Sequence, residues 1–162
     1  RSGRGDFDGA TAHLTRALTL APHNAAAHAN LAGVLVAQAH IARSVTEYEA
    51  ALAANPSLVE ALTELAWTQA TSSTASIRSV ASAVTYAERA VALTFRRDVR
   101  ALDALGAAYG AAARYGEAVK VMDEALALIP VNAAGAVESR RLLMGRRSLY
   151  QSKRAFVDPA RR

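Results

Sequence analysis

Four histidines and one pair of carboxylates are the side chains of this sequence best suited to chemistry. The histidines are His13, His23, His28 and His40, and none forms the His-Glu-x-x-His arrangement by which a helix holds zinc. Glu60 and Glu64 are one helical turn apart, a spacing that can serve acid–base catalysis inside a closed pocket. On an open helix surface the same pair is a solvated face, and we favour that interpretation.

Other catalytic or cofactor-binding patterns are not found in the sequence. It contains no cysteine, which excludes disulfides and thiolate metal sites, and no glycine-rich phosphate loop follows a strand pattern. His28 falls at an apolar packing position, which favours a core or half-buried role over a ligand role. We therefore predict a non-enzymatic protein with no metal and no cofactor.

Charge is distributed unevenly along the 162 residues, whose net charge is +5. Residues 1–139 carry 11 basic and 13 acidic groups, whereas residues 140–162 carry eight basic groups and one acid. Clustered arginines can bind anionic lipid or nucleic acid through charge alone. No nucleic-acid motif accompanies them, so a solvated, partly disordered basic tail is the favoured interpretation and no nucleic-acid partner is expected.

The stretch from Val99 to Asn132 predicts two packed helices. Alanine makes up roughly a quarter of the sequence, a composition that favours helices. One apolar stripe contains Leu102, Leu105, Gly106 and Tyr109, and a second contains Ala118, Met122, Ala125 and Leu126. The sequence Arg114-Tyr115-Gly116 interrupts them, and Pro130 ends the second. Such a hairpin cannot bury its own apolar faces and needs neighbours.

Related segments recur along the chain, and Pro22 and Pro56 are 34 residues apart. This interval, with two helices per unit, resembles the tetratricopeptide repeat. The matching residues of the Val99–Asn132 unit are Leu105, Gly106, Tyr109, Ala118 and Pro130, with Leu102 and Met122 in place of the usual Trp and Phe. A second series is His28, Leu31, Ala32, Leu35, Ser44, Tyr48, Ala51 and Pro56.

The resemblance implies an all-α fold, a right-handed α-α superhelix of helix-turn-helix units. We expect one domain over residues 1–150, followed by a basic tail over 151–162. Its predicted units are a partial repeat at 1–24, full repeats at 25–58, 59–97 and 98–132, and a capping helix at 133–150. Because the chain begins with Arg1 rather than Met, we expect it to be a fragment.

Three segments carry more local expectations. Asp6-Phe7-Asp8-Gly9-Ala10 is predicted to be an inter-helix turn, with Asp6 or Asp8 capping the next helix; the uncovered N-terminal end is then a route to self-association. Residues 71–76 are predicted to form a protruding loop. The capping helix is expected to bury Val137, Leu142 and Leu149 and to expose a basic face at residues 140, 141, 146 and 147.

The resemblance also implies a binding groove, because the first helix of each repeat lines the concave side of such a superhelix. The residues expected to line it are Asn30, Gly33, Glu60, Thr63, Glu64, Trp67, Arg100 and Asp103. Trp67 is the single tryptophan, and large aromatic side chains are common binding anchors. The alternative, weighed equally, is that Trp67 packs beside the 71–76 loop.

We predict that the groove binds an extended peptide or helix with basic and apolar residues, since Glu60, Glu64 and Asp103 would oppose a carboxylate ligand. No segment is apolar and long enough for membrane insertion. A second reading rests on LAWTQATSSTASIR, YAERAVALTFRRD and LYQSKRAF, which resemble C-terminal repeat segments of large bacterial proteins. Some of those carry a multi-spanning glycosyltransferase-like domain, which would make this chain an accessory domain that positions a protein substrate.

Overall fold

The computed structural model describes residues 2–161, with side chains described from Phe7 onward. Within that range the chain is all-α, with eight helices and no strand. The helices are α1 (Ser2–Leu20), α2 (Ala25–Ala37), α3 (Ile41–Ala54), α4 (Val59–Thr71), α5 (Val80–Leu93), α6 (Val99–Ala111), α7 (Tyr115–Leu128) and α8 (Ala136–Gln151). Among them, none combines the length and the apolar content needed to cross a membrane.

The helices pack as a stack of hairpins. Helix α2 pairs with α3, α4 with α5, and α6 with α7, while α1 covers α2 and α8 covers α7. Helices α4 and α6 also lie against each other, whereas α2 packs mainly on α1 and α3. The predicted all-α solenoid of helical repeats is confirmed.

Small residues allow the close helix approaches in this stack. Leu102, Leu105 and Gly106 of α6 are buried as predicted, and so are Ala118 and Met122 of α7. A Cβ added at Gly106 would lie 2.5 Å from Cε of Met122, so the two helices approach at a point where only glycine fits without movement. Packing this close removes most apolar side-chain surface from water and supplies the main stabilising term.

Two hairpins end their first helix in the same strained way. After α6, Ala113 has φ of 59°, the N–H of Ala113 donates to the Gly110 carbonyl, and the N–H of Arg114 donates to the Tyr109 carbonyl. After α2, Ala39 has φ of 60° within the same bonding pattern. This is the Schellman cap, in which glycine normally takes the left-handed position.

Ala113→Gly is expected to raise the free energy of unfolding by about 0.5–1 kcal/mol, because glycine relieves the left-handed strain by more than it adds to unfolded-chain entropy. The matched control is Ala112→Gly, whose φ of −82° suits alanine and which should destabilise. Urea unfolding followed by far-UV circular dichroism measures both changes. Equal stability losses in the two variants would contradict the cap assignment.

The N-terminal turn prediction is wrong. Helix α1 is continuous through residues 6–10, so the first unit of the chain begins with one long helix rather than with a turn followed by a helix. Oδ1 of Asp8 accepts a bond from Nε2 of Gln38, the residue after α2, at 3.1 Å, so Asp8 links α1 to the end of α2 instead of capping a helix. The capping role suggested for the Asp6 side chain lies outside the described residues, as do Arg1 and Arg162. Asp and Gly favour turns only weakly when a neighbouring helix offers contacts.

The loop after α4 and the apolar face of α8 also differ from expectation. Thr71 and Ser72 are fully buried, so the predicted loop begins in the interior, and its exposed residues are Ser73, Ala75 and Ser76. Helix α8 buries Ala136, Leu143 and Tyr150 rather than the predicted stripe. Each of the three buried residues is one position away in sequence from a predicted one, and Val137 is 79% exposed.

Candidate functional site

One cavity between α4 and α6 brings together five of the eight residues predicted to line the groove. Thr63, Glu64 and Trp67 of α4 line a cavity of about 160 Å³ together with Arg100 and Asp103 of α6. They meet because α4 and α6 pack side by side and each presents one helical face to the same space. Nη2 of Arg100 donates to Oε1 of Glu64 at 2.6 Å across this space.

The other three predicted residues lie apart from this cavity. Glu60 is exposed and lines a second cavity of about 160 Å³ with Val59, Thr63, Asp98 and Arg100. Asn30 is exposed on α2, and a Cβ added at Gly33 would lie 3.8 Å from the hydroxyl of Tyr48. Helix α2 therefore contributes to a different part of the surface from the cavity at Trp67.

The chain's own C-terminal segment, residues 152–161, lies on this site. The Phe156 ring packs on the Trp67 ring with centroids 5.6 Å apart and planes tilted by 42°. Nε1 of Trp67 donates to Oδ2 of Asp158 at 2.8 Å, and the Asp158 N–H donates to the Thr71 carbonyl at 3.0 Å. We name residues 156–161 the C-terminal strap.

Arg161 fixes the other end of the C-terminal strap. Its Nη2 donates to Oε2 of Glu64 at 2.8 Å, and its carbonyl accepts a bond from Oγ of Ser72 at 2.6 Å. The residue is only 9% exposed, which is unusual for arginine. Glu64 thus pairs with Arg100 on one oxygen and with Arg161 on the other.

A largely buried ion pair lies against the aromatic pair of Trp67 and Phe156. Arg146 of α8 pairs with Asp103, and its guanidinium carbon lies 4.7 Å from the Trp67 ring centroid and 5.0 Å from that of Phe156. Burial raises the pKa of Asp103 to about 6, although the charge and hydrogen bond of Arg146 oppose the rise. Because Arg146 neutralises the Asp103 carboxylate, this part of the groove carries less negative charge than the sequence alone suggests.

The solvated, disordered tail predicted from the sequence is wrong, because Phe156, Asp158 and Arg161 are packed on α4. The predicted solvent-facing basic surface of α8 is also wrong in three of its four positions. Arg140 donates to the carbonyls of Leu126 and Ile129, Arg146 pairs with Asp103, and Arg147 pairs with Asp123. Arg141 is the exposed one.

That Trp67 is a binding anchor stays a prediction, and the structure shows what Trp67 contacts. Its backbone carbonyl accepts a bond from Oγ1 of Thr71 at the end of α4, where the predicted loop begins. Its ring and its N–H, however, contact Phe156 and Asp158, which are about 90 residues further along the chain. Three residues at this site were not predicted from the sequence, namely Phe156, Asp158 and Arg161. One feature of the sequence could have indicated them. An aromatic residue, an acid and a base lie close together in an otherwise polar tail, and their types complement the tryptophan and the glutamate of α4.

The carboxylate pair does not form a closed catalytic site. Glu60 is exposed, and both oxygens of Glu64 are bound by arginines, so neither is placed as a free acid or base. Across the described residues, no group of three histidines or carboxylates is placed to hold a metal ion.

His28 lies outside the groove and joins α2 to α3. Its Nδ1 is 2.7 Å from Oε2 of Glu47, and its Nε2 is 2.9 Å from the Pro22 carbonyl. Both partners are acceptors, so only the protonated ring, which donates from both nitrogens, satisfies both. Burial lowers the pKa of His28, but the bonds to Glu47 and Pro22 outweigh it and raise that pKa above its ordinary 6.5.

Because the pKa of His28 is higher in the folded state, its stabilising contribution is present below 6.5 and is lost as the pH rises through the folded value. We expect His28→Gln to destabilise the protein most at about pH 5.5, with a difference from wild type that shrinks toward about pH 8.5. Urea unfolding across this range measures the difference. His23→Gln, at an exposed position, is the matched control. A His28→Gln difference that grows with pH would contradict the ion pair.

Comparison with protein families gives one match over the first part of the chain. A family model described as tetratricopeptide repeat matches residues 3–65, which include α1, α2, α3 and the first half of α4. No curated protein matches the chain.

Proposed function

We propose that this chain, whose residues 3–65 match the tetratricopeptide-repeat family, is a non-catalytic interaction module whose concave groove binds an extended polypeptide segment. Repeats of this family are generally protein-interaction modules. The proposed binding surface is centred on the cavity lined by Thr63, Glu64, Trp67, Arg100 and Asp103, with Glu60 in the neighbouring cavity. Asn30 and Gly33 of α2 lie on a different part of the surface and would contact only a longer segment.

The observation that carries this proposal is the C-terminal strap, a polypeptide already lying against Trp67 and Glu64. It contacts the groove through a ring, a carboxylate, a guanidinium and two backbone groups. Contacts to backbone groups suit any extended polypeptide, while the side-chain contacts supply selectivity.

Open surface remains beside the strap for a partner. The Arg100 side chain is 70% exposed, and the second cavity at Glu60 extends the groove away from Trp67. A partner that enters there meets a carboxylate and a guanidinium in alternation along α4 and α6. That pattern favours a segment that carries charges of both signs over one that carries a single sign.

Trp67→Ala is expected to weaken binding of groove-selected peptides at least tenfold, because truncating a central aromatic anchor costs about 2 kcal/mol or more. Peptides are first selected from a random library displayed on phage against the immobilised full chain. Their affinities for wild type and Trp67→Ala are then measured by isothermal titration calorimetry. Far-UV circular dichroism should be the same for both proteins.

The matched control is Phe95→Ala, which truncates an aromatic side chain that is 81% exposed at the end of α5. Phe95→Ala should bind the selected peptides as wild type does. If Trp67→Ala also binds them with wild-type affinity, Trp67 is not in the binding site and the groove assignment fails.

A further inference from the structure

The C-terminal strap has the geometry of a bound ligand, and its residue types define what the groove recognises. We propose that the groove binds segments of the pattern Phe-x-Asp-Pro-x-Arg, of which residues 156–161 are the built-in copy, and that a partner carrying this pattern displaces the strap. This inference rests on the proposed function, since it names the ligand class and the regulation of the same site.

The first half of the pattern follows from the side of the strap that faces Trp67. Phe156 and Asp158 are half-buried while Val157 between them is exposed, so the two half-buried side chains face the groove. On that side Trp67 meets both, with its ring against Phe156 and its N–H on Asp158. One indole can therefore contact both an aromatic ring and a carboxylate when the aromatic residue comes two positions before the acidic one.

The second half follows from a turn. Oδ1 of Asp158 accepts the Ala160 N–H at 2.9 Å, and the Asp158 carbonyl accepts the Arg161 N–H at 3.1 Å. Pro159 occupies the first central position of this turn, where its fixed φ is favourable. The turn reverses the segment and carries the guanidinium of Arg161 to Glu64. Asp158 thus both binds Trp67 and shapes the turn that places Arg161.

The groove supplies matching acceptors and donors at both ends. The Thr71 carbonyl binds the backbone of Asp158, and Oγ of Ser72 binds the backbone of Arg161. Both groups lie at the end of α4 and are buried. Their bonds require a backbone N–H and a backbone carbonyl, which identifies the occupant as a polypeptide.

The C-terminal strap is tethered close to the groove, but some of its polar groups have no partner, so a competing segment can displace it. It follows directly on α8, so its effective concentration at the groove is high, on the order of millimolar for short tethers. Nε and Nη1 of Arg161 are nevertheless buried with no hydrogen-bond acceptor among the described residues. An unsatisfied buried donor opposes binding. A partner that pairs these nitrogens, or that extends toward Arg100, would compete with the tethered copy.

The test uses the full chain with a weakened strap, Phe156→Ala/Arg161→Ala, and a fluorescein-labelled peptide with the sequence of residues 154–161. Fluorescence anisotropy is expected to show at least tenfold tighter peptide binding to this variant than to wild type, because the strap no longer competes. The same peptide with alanine at the positions of Phe156 and Arg161 should not bind. Adding Trp67→Ala to the variant should abolish binding.

Equal binding to the variant and to wild type, or equal binding of the two peptides, would overturn the inference. Far-UV circular dichroism of the variant checks that its helices are intact. Library selection on the same variant separates this inference from the proposed function. Selected peptides that need Trp67 but lack the pattern overturn the inference alone, whereas failure to select any Trp67-dependent peptide overturns both.

Discussion

Replacing Tyr150 with alanine is expected to lower the free energy of unfolding by about 3–5 kcal/mol, the range for removing a fully buried aromatic side chain. Tyr150 is 0% exposed and is the largest fully buried side chain of the described core. It joins α8 to the apolar cluster formed by α4, α5, α6 and α7. Its loss leaves a cavity beside Gly110, which has no side chain to refill it.

The effect of Tyr150→Ala should also reach the groove. Tyr150 docks the helix that carries Arg146, and Arg146 lies against both rings of the Trp67–Phe156 pair. The single tryptophan therefore reports on the docking of α8. We expect the indole emission to shift toward that of a solvated ring, measured together with urea unfolding by far-UV circular dichroism.

Tyr150→Phe is the matched control, because it keeps the ring and removes only the hydroxyl. That oxygen is buried with no hydrogen-bond partner among the residues described. Burial also raises the pKa of Tyr150 above its ordinary value. Removing it should leave stability unchanged or raise it by up to about 1 kcal/mol. If Tyr150→Phe loses as much stability as Tyr150→Ala, the packing argument is incorrect.

Replacing Gly110 with leucine is expected to destabilise the protein by about 3 kcal/mol, at the upper end of the usual cost of overpacking. A Cβ alone at Gly110 would lie 2.6 Å from Cε1 and 2.9 Å from Cδ1 of Tyr150. The ring is enclosed and cannot rotate away, so α8 must move. The helix-propensity gain of about 1 kcal/mol from removing glycine is too small to compensate.

Two other glycines provide comparisons for the predicted effect of Gly110→Leu. At Gly106 an added Cβ would meet the flexible end of Met122, which can move, so Gly106→Leu should cost less than Gly110→Leu. Gly145 on the outer face of α8 has nothing within 4 Å of an added Cβ, and Gly145→Ala should raise stability by up to about 1 kcal/mol. Thermal unfolding midpoints rank the three variants. A Gly110→Leu midpoint equal to that of wild type would contradict the close α6–α8 approach.

The repeat architecture could be predicted from the sequence because each helix carries its own periodic stripe. Leu102, Leu105 and Gly106 mark one helix of a hairpin, and Ala118 and Met122 mark the other, all within one repeat. Because these patterns depend only on residues close in sequence, their burial could be predicted, and the structure confirms it. The sequence did not predict the register of α8, where Leu142 and Leu143 are adjacent and burial of one excludes the other.

The occupant of the groove could not be predicted, because it depends on contacts between distant residues. Trp67 meets Phe156 and Asp158, and Glu64 meets Arg161, across most of the length of the chain. Composition alone marks the last residues as a basic tail. Specific pairing, rather than net charge, decides where such a tail lies once a helix such as α8 directs it back over the groove.

The account depends on one claim, that the C-terminal strap lies on the groove as a ligand would. Proton nuclear Overhauser spectroscopy of the full chain in solution tests it, since Trp67 is the single tryptophan and its indole signals are unambiguous. We predict cross-peaks between the indole protons of Trp67 and the ring protons of Phe156, together with slow exchange of the Nε1 proton bound to Asp158. Rapid exchange of that proton with no cross-peak to Phe156 would contradict the account.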